Sequence, residues 1–288
     1  MVKVSNAKFI LNIAKLTRRI RFRGLERLLR LIYNPDKRKD DYLSFLAPYD
    51  ENSVIFLDTR SYQDWNILFQ GYYERGIVSL LKRLIRQGDC VIEVGANIGS
   101  HTIIISRRVG TQGTVLAFEP HPKVIEKLTL NLKANRIQNV RIFKCALSDS
   151  SQKFTSFYTS EGNFATEEMN SSLFPDDRLS LQIQVECKTL DETFLNNGID
   201  RCDLIKIDTE GNEFRVLLGA KQTIDTFRPY ILFEYSEINW TKAGSNWSSV
   251  KLFFKELNYS LHTISNDGYM LFTDDYLLTD GDVIAIPK

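Results

Sequence analysis

The chain has few of the residues that build metal centres and disulfide frameworks. Its 288 residues include four cysteines and three histidines, and no two cysteines form a Cys-x-x-Cys pair. Each cysteine lies within or beside an apolar run, which favours buried free thiols and a reducing compartment. The histidines are too scattered for a zinc cluster, so we expect any metal ion to be bound by carboxylates.

Long apolar runs are also missing. No stretch approaches the roughly 20 apolar residues of a membrane span, and no secretory signal with a cleavage site is present. We therefore expect a cytoplasmic protein. Since 43% of the residues are hydrophobic and 25% are charged, the chain can bury a large core.

Charge is unevenly distributed along the chain. Residues 1–40 contain 12 Lys and Arg against 3 Asp and Glu, whereas the remainder contains 25 against 33. Apolar residues recur at helical spacing between Phe9 and Ile32, which predicts a basic amphipathic helical segment over residues 1–45, ahead of the main domain at 46–288. This segment can lie on an anionic membrane as a peripheral contact, direct targeting, or pack on the domain or on a second subunit.

Those alternatives stay open, as does assembly into a homo-oligomer. Nucleic-acid binding is not expected, because the main domain is acidic and no recognition motif is present.

Strands and helices are predicted to alternate after residue 90. This order predicts an α/β fold with a mostly parallel sheet and helices on both faces. The segments 261–264, 269–272 and 282–286 predict an antiparallel C-terminal edge, with a turn at 265–268. The polar, serine-rich residues 149–182 are interpreted as an irregular insertion and a candidate substrate lid.

A glycine loop connects the first of these strands to a helix. It reads Glu93-Val94-Gly95-Ala96-Asn97-Ile98-Gly99, where Gly95 and Gly99 permit a sharp turn and a close approach to a ligand. The G-x-x-x-G spacing differs from the G-x-G-x-x-G of dinucleotide sites. Glu93 would repel a pyrophosphate, but it suits a cationic ligand such as S-adenosylmethionine.

Glu119 ends the next strand and is followed by Pro120, which constrains the turn. A carboxylate at this place can accept hydrogen bonds from both ribose hydroxyls of an adenosine. Because the same arrangement fits a dinucleotide, a nicotinamide-dependent oxidoreductase remains an alternative function. A non-catalytic cofactor-binding module is a second alternative.

Further short motifs lie before and after the glycine loop. In chain order they are Gly71-Tyr72-Tyr73-Glu74, 117–122, Asn131-Leu132, Ala146-Leu147-Ser148, Ser171-Ser172-Leu173, Thr189-Leu190-Asp191, 203–211 and Gly219-Ala220. Together they resemble the FkbM-type methyltransferases, class I enzymes with a Rossmann-like fold that use S-adenosylmethionine to methylate hydroxyl groups. The likeness covers roughly residues 70–236. The basic segment at 1–45 lies outside it.

The resemblance implies roles for these residues in cofactor binding. Glu93, which stands where the family more often has Asp, would line the methionine part of the cofactor together with Gly95, Asn97 and Gly99. Glu119 would bind the ribose, and Ala146 and Leu147 would border the adenine. From its place before the sheet, Glu74 is a further candidate for closing over the methionine part.

The strand end Lys206-Ile207-Asp208-Thr209-Glu210 offers the groups that methyl transfer to oxygen requires. This is the fourth strand of the predicted order and should neighbour the first. Asp208 can act as the base or bind the methionine end of the cofactor. Glu210 can bind the substrate hydroxyl, or join Asp208 and Glu234 around a Mg²⁺ ion.

Structural roles are open for the same residues. Asp208 can cap the helix that starts near Gly211, and Glu210 can complement the dipole of that helix. Lys206 can pair with a nearby carboxylate or orient the acidic pair. Ser171, Ser172 and Glu234 are the candidate substrate contacts.

The three histidines receive different interpretations, and His262 is expected to be structural. His101, in the first turn after the glycine loop, is expected on a helix surface. His121 is expected either on the surface or as a base at the cleft. The function predicted from all these features is O-methylation of a hydroxyl on a sugar, a glycolipid or a secondary metabolite, with a small molecule or glycan as the acceptor.

Overall fold

The computed structural model describes residues 4–18, 20, 24–34, 43–159, 171–174, 181–265, 267–268, 270–272 and 280–288. The helices are α1 Val4–Thr17, α2 Leu25–Ile32, α3 Tyr62–Gln70, α4 Arg75–Leu84, α5 Ser100–Val109, α6 Pro122–Ala134, α7 Leu190–Asn197, α8 Glu213–Leu218, α9 Lys221–Phe227, α10 Glu237–Lys242 and α11 Trp247–Glu256. The strands are β1 Ser44–Tyr49, β2 Ser53–Asp58, β3 Cys90–Val94, β4 Thr114–Phe118, β5 Val140–Phe143, β6 Ala146–Leu147, β7 Gln152–Thr159, β8 Ser171–Ser172, β9 Leu181–Lys188, β10 Leu204–Ile207, β11 Tyr230–Tyr235, β12 Tyr259–Ile264, β13 Met270–Phe272 and β14 Gly281–Pro287.

The largest sheet has the strand order β13-β12-β14-β11-β10-β3-β4-β5. The five strands from β11 to β5 are parallel, and β14 pairs antiparallel with both β11 and β12. This arrangement confirms the predicted mostly parallel sheet with an antiparallel C-terminal edge. As predicted, β10 lies directly beside β3, with Lys206 opposite Glu93 and Ile207 opposite Val94.

Helices cover both faces of this sheet because its strands are apolar on both sides. All five residues of β3 are buried. Ile92 packs on one face with residues of α8, α9 and α11, and Val91 packs on the opposite face with residues of α4 and α5. Near-continuous apolar strands of this kind are typical of parallel sheets between two helical layers. All four cysteines are buried and free, as predicted.

The interpretation of residues 149–182 as an irregular insertion is wrong for the described part. Strands β7 and β9 pair antiparallel in a second sheet of order β6-β9-β7-β8. Phe157 and Val185 are buried on one side of this ladder, while Gln152, Gln182 and Gln184 are exposed. The polar residues obscured the alternation of a half-exposed strand. Residues 160–170 and 175–180, which belong to the candidate lid, lie outside the described residues, as does Asn266 of the predicted turn.

The N-terminal helices pack on the main domain. Ile10 and Ala14 of α1 and Leu25 and Leu29 of α2 belong to a buried cluster that also contains Trp65 of α3. The indole nitrogen of Trp65 donates to the carbonyl oxygen of Tyr33 at 2.9 Å. Of the alternatives for this segment, packing on the domain is therefore present in the described helices. No described helix combines the length and apolar character needed to cross a bilayer.

Arg18 connects α1 to the C-terminal end of α3. Its guanidinium donates to the carbonyl oxygens of Leu68 and Pro48 at 2.8 Å each and of Ile67 at 3.1 Å. The last carbonyls of a helix have no partner within the helix, so a cation placed there satisfies them and complements the helix dipole. Arg18 therefore stabilises the junction between the basic segment and the domain.

Replacing Arg18 by Ala should lower the free energy of unfolding by about 2 kcal/mol, because three carbonyl oxygens lose a charged donor. Urea unfolding of the full chain measures the loss. The exposed Arg27 provides the matched control, and Arg27→Ala should change stability by less than about 0.5 kcal/mol. Equal losses in the two variants would contradict the role assigned to Arg18.

Candidate active site

A cleft opens at the carboxyl ends of β3, β4, β10 and β11. Open α/β sheets bind ligands at this edge, where the loops after neighbouring strands diverge. The predicted site residues found in its wall are Glu74, Gly95, Asn97, Glu119, Pro120, Ala146, Leu147, Asp208, Glu210 and Glu234. The fold thus gathers into one cleft residues that are up to 160 positions apart in the chain.

Some predicted residues lie behind this wall. Glu93 is buried beneath it and accepts a hydrogen bond from Oγ1 of Thr102 at 2.6 Å. Ser172 is also buried, and its hydroxyl donates to the carbonyl oxygen of Glu210 at 3.3 Å. The side chain of Ser171 lies outside the described residues. Leu173, next in the same segment, does reach the cleft.

The glycines of the loop make room for protein atoms. An added Cβ at Gly95 would lie 1.8 Å from the carbonyl oxygen of Asp208, and one at Gly99 would lie 2.6 Å from Cδ1 of Leu128. Both residues have positive φ angles, of +81° and +88°, which favour glycine. The two glycines therefore allow the loop to pack closely on the end of β10 and on α6.

Glu119 is buried at the end of β4 and lines the cleft. Its carboxylate accepts hydrogen bonds from the backbone amides of Asn97 at 3.0 Å and of His121 at 2.9 Å. Burial raises the pKa of Glu119 to about 7, although these two amides act to lower it. The amides orient the carboxylate in the cleft, where it can still accept further donors.

The opposite part of the cleft is acidic. Lys206, 3% exposed, donates to Oδ2 of Asp208 at 2.9 Å. Burial acts to raise the pKa of Asp208, but the charge and the hydrogen bond of Lys206 lower it below its usual value. Asp208 is therefore held as a carboxylate. Lys206 pairs with a carboxylate, as one of its two predicted roles required, and Asp208 does not cap a helix.

Glu74 and Glu234 complete the acidic wall. Burial, followed by the charge of Asp208, raises the pKa of Glu74 to about 8 and that of Glu234 to about 9. Burial and the same charge raise the pKa of Asp282 to about 6. These shifts have one physical origin: several carboxyl groups face each other in a poorly hydrated space. A cationic ligand would relieve that repulsion.

Some of these carboxyl groups were also predicted to bind a metal ion. Within the part of the chain that the structure describes, no three His, Cys, Asp or Glu side chains are grouped so that they could hold a metal ion. The assignment of Mg²⁺ to Asp208, Glu210 and Glu234 stays a prediction.

The interpretation of His101 as a surface residue is wrong. It is 4% exposed and lines the cleft, because the first turn of α5 points into the carboxyl edge of the sheet. His121 is also buried, and its Nδ1 accepts from the amide of Lys123 at 3.2 Å, capping α6. Of the two histidines, His101 is the one in the wall of the cleft.

The chain matches a known family of proteins. The model of the methyltransferase FkbM domain matches residues 93–261, more than half of the chain. The chain belongs to the FkbM methyltransferase family. This membership and the observed strand order confirm the expected class I methyltransferase fold.

Curated relatives share somewhat more than a quarter of their residues with this FkbM-family chain. Methyltransferase sdnD of Sordaria araneosa is 28% identical over 162 residues, which cover 46% of this chain and 60% of sdnD. The hexuronic acid methyltransferase AglP of Haloferax volcanii is 28% identical over 156 residues, covering 53% and 59%. The 2-O-methyltransferase NoeI of Sinorhizobium fredii is 29% identical over 177 residues, covering 57% and 68%. The chain spans about three fifths of the length of the first relatives that it matches.

Among solved structures, the chain is similar to a methyltransferase FkbM from Methylobacillus flagellatus. The identity is 14%, the TM-score is 0.46, and the match covers 98% of this chain and 59% of that one.

Several cleft residues were missed by sequence reasoning. Gln63 of α3 accepts from Nδ2 of Asn97 at 3.0 Å and donates to Oγ of Ser100 at 3.3 Å. Asn212 donates to the carbonyl oxygen of Leu147 at 2.7 Å. Amide side chains have no characteristic spacing, and Gln63 lies 34 positions before Asn97, so local pattern could not find them.

The raised pKa values of Glu74 and Glu234 predict that the unliganded FkbM-family protein loses stability between pH 7 and pH 9. An acidic group with a raised folded-state pKa binds its proton more tightly in the native state, so the free energy of unfolding falls as pH rises towards that pKa. Glu234→Gln should reduce this fall by roughly 1 to 2 kcal/mol.

Urea unfolding at both pH values measures the effect. Glu126, an exposed residue of α6, provides the control, and Glu126→Gln should keep the wild-type fall. The same fall in the wild type and both variants would contradict the assignment to Glu234.

Proposed function

We propose that this protein is an S-adenosylmethionine-dependent O-methyltransferase acting on a hydroxyl of a sugar, a glycolipid or a secondary metabolite. The observation that carries the proposal is one cleft that combines a buried carboxylate suited to a ribose, Glu119, with an acidic wall at Asp208, Glu210 and Glu234. The family membership supports methyl transfer as the reaction. The acidic wall disfavours a pyrophosphate, and hence a nicotinamide cofactor.

The side chains that line the cleft have the hydrogen-bonding and apolar groups that this cofactor requires. Glu119 can accept the ribose hydroxyls, and the apolar Ala146 and Leu147 can border the adenine. The remaining residues proposed for cofactor binding belong to the glycine loop, support it, or would face the methionine part of the cofactor. They are Glu74, Glu93, Gly95, Asn97, Gly99, Pro120 and Asp208. When bound, the cofactor supplies a methyl group activated by a positively charged sulfur.

The residues of the chain must take up one proton in the reaction. With the cofactor bound, a carboxylate of the chain would accept the proton that the acceptor hydroxyl loses on methylation. Asp208 and Glu210 are the two proposed bases. Lys206 keeps Asp208 ionised and fixed in place, but by lowering its pKa it also makes Asp208 the weaker base. Glu210 is more exposed and lies nearer to solvent.

The acceptor class rests on the relatives and on the described end of the candidate lid. AglP is named for a hexuronic acid, which is a sugar acid, and NoeI is named for methylation at a 2-O position. In this chain the hydroxyl of Ser172 holds the segment 171–174 against the backbone of Glu210, and Leu173 lines the cleft. This contact would place the acceptor between the segment and Glu234.

Labelled S-adenosylmethionine and a panel of hydroxylated sugars, glycolipids and secondary metabolites test the reaction, with and without EDTA. Glu210→Gln and Asp208→Asn should each lower kcat by roughly 100-fold or more if the residue is the base, because general base catalysis contributes about that factor. Glu126→Gln is the control and should retain full activity. Loss of activity in EDTA that Mg²⁺ restores would support a metal.

Binding of S-adenosylhomocysteine and of NADH to the wild-type protein, measured by calorimetry, tests the cofactor. Only S-adenosylhomocysteine is expected to bind. NADH binding without S-adenosylhomocysteine binding would overturn the proposal in favour of an oxidoreductase. Cofactor binding with no methyl transfer to any acceptor would favour the non-catalytic module.

We also propose that the protein is cytoplasmic and makes peripheral contact with an anionic membrane. Phe9 and Leu16 of α1 are 61% and 62% exposed, and Leu31 of α2 is 82% exposed. Large exposed apolar side chains within a strongly basic segment are typical of interfacial helices.

The triple variant Phe9→Ser, Leu16→Ser, Leu31→Ser should lose sedimentation with anionic vesicles and keep its affinity for S-adenosylhomocysteine. These side chains are exposed, so the substitutions leave the buried face of both helices intact. Unchanged sedimentation of the variant, or no sedimentation of the wild type, would contradict membrane contact.

A further inference from the structure

His101 presents an unsatisfied buried atom to the cleft. Its side chain is 5% exposed, and Nε2 has no hydrogen-bond partner among the described residues. The other ring nitrogen donates a hydrogen bond to the backbone of Tyr73, which leaves Nε2 as the nitrogen without a partner. A buried polar atom without a partner costs free energy, so such atoms in a cleft wall commonly contact a ligand.

Glu74 faces the same point from the start of α4. Oε2 of Glu74 lies 3.8 Å from Nε2 of His101, too far for a hydrogen bond between them. No described residue forms a hydrogen bond with the carboxylate of Glu74. The residue itself adopts a left-handed conformation, with φ of +48°, which is uncommon outside glycine. The chain therefore holds the carboxylate in this position at some conformational cost.

Neutral His101 and ionised Glu74 are two hydrogen-bond acceptors that share one space, so a ligand with several donors suits them. Burial, and next the charge of Lys206, lowers the pKa of His101 to about 3, so the ring is neutral and Nε2 accepts. A hydroxyl has one proton and can satisfy either His101 or Glu74. An ammonium has three, and two acceptors at about 2.8 Å from one ammonium nitrogen lie roughly 4 to 5 Å apart, close to the observed separation.

The surrounding charges favour a cation as well. Glu74 faces the carboxyl groups of Asp208, Glu210 and Asp282, together with the ammonium of Lys206, which Asp208 already binds. A positively charged ligand would thus reduce repulsion in this part of the cleft, whereas a neutral donor would leave it unchanged.

We propose that Glu74 and His101 bind the α-ammonium group of S-adenosylmethionine. This inference rests on the proposed function and adds an anchor for the amino-acid end of the cofactor, while Glu119 holds the ribose. It assigns to His101 a role in recognising the cofactor, and it predicts that the protein distinguishes adenosyl ligands by the presence of the amino acid.

Calorimetry with two ligands tests the proposal on the full-length protein. S-adenosylhomocysteine carries the ammonium, whereas 5′-methylthioadenosine retains the nucleoside and the thioether but lacks the amino acid. Glu74→Gln and His101→Ala should weaken S-adenosylhomocysteine binding by roughly 10- to 100-fold. Both should leave the affinity for 5′-methylthioadenosine within about twofold of the wild type.

Further variants separate this role from a structural one. His101→Gln, which keeps an acceptor oxygen, should recover part of the affinity for S-adenosylhomocysteine. His262→Gln, at a histidine in β12 outside the cleft, should bind both ligands as the wild type does. Glu119→Gln should weaken both ligands alike, since both contain the ribose.

The binding results distinguish failure of the ammonium site from failure of the proposed cofactor. A wild-type protein that binds neither ligand would overturn the S-adenosylmethionine proposal itself. If the wild type binds S-adenosylhomocysteine and either Glu74→Gln or His101→Ala weakens both ligands equally, or weakens neither, the ammonium site is wrong while the cofactor assignment stands. Thermal melting of each variant checks that a loss of both ligands does not arise from unfolding.

Discussion

The buried ammonium of Lys206 is the interaction on which the cleft depends. Burial acts to lower the pKa of this lysine, but the charges of Asp208, Glu74 and Glu93 raise it above its usual value. Removing one member of a buried ion pair leaves an uncompensated charge, which costs several kcal/mol. Lys206 therefore allows three carboxyl groups to approach one another at the carboxyl edge of the sheet, and it fixes the orientation of Asp208.

Close packing between β3 and β10 brings the loop and the acidic wall together. The carbonyl oxygen of Asp208 occupies the space that a side chain at Gly95 would fill. The two strands pair in parallel, so both chain segments leave the sheet at the same edge. As a result, the glycine loop and the proposed base are positioned by one contact, and a change at Gly95 would displace both.

Sequence pattern predicted the parts of the site that have local spacing. The loop from Glu93 to Gly99, Glu119 at the end of the next strand, and the adjacency of β10 and β3 follow from apolar runs and glycine positions. His101 was misread, because its place in a first helical turn does not reveal whether that turn faces solvent or the cleft. The strand β7 was missed because its polar residues, among them the half-buried Thr155 and Ser156 and the buried Thr159, hide its alternation. Gln63 reaches the cleft from α3, and no motif marks it.

By itself the sequence determined the order of the parallel strands and their helices, the glycine loop and the membership in a methyltransferase family. These depend on residues close together in the chain, where steric and hydrophobic periodicity act directly. Only the tertiary structure decided that Oε2 of Glu74 lies 3.8 Å from Nε2 of His101 and that Lys206 forms an ion pair with Asp208. Such contacts arise because α4, α5 and β10 converge at one edge of the sheet. The burial and the distances there determine the pKa values of these groups, and no local sequence pattern contains that information.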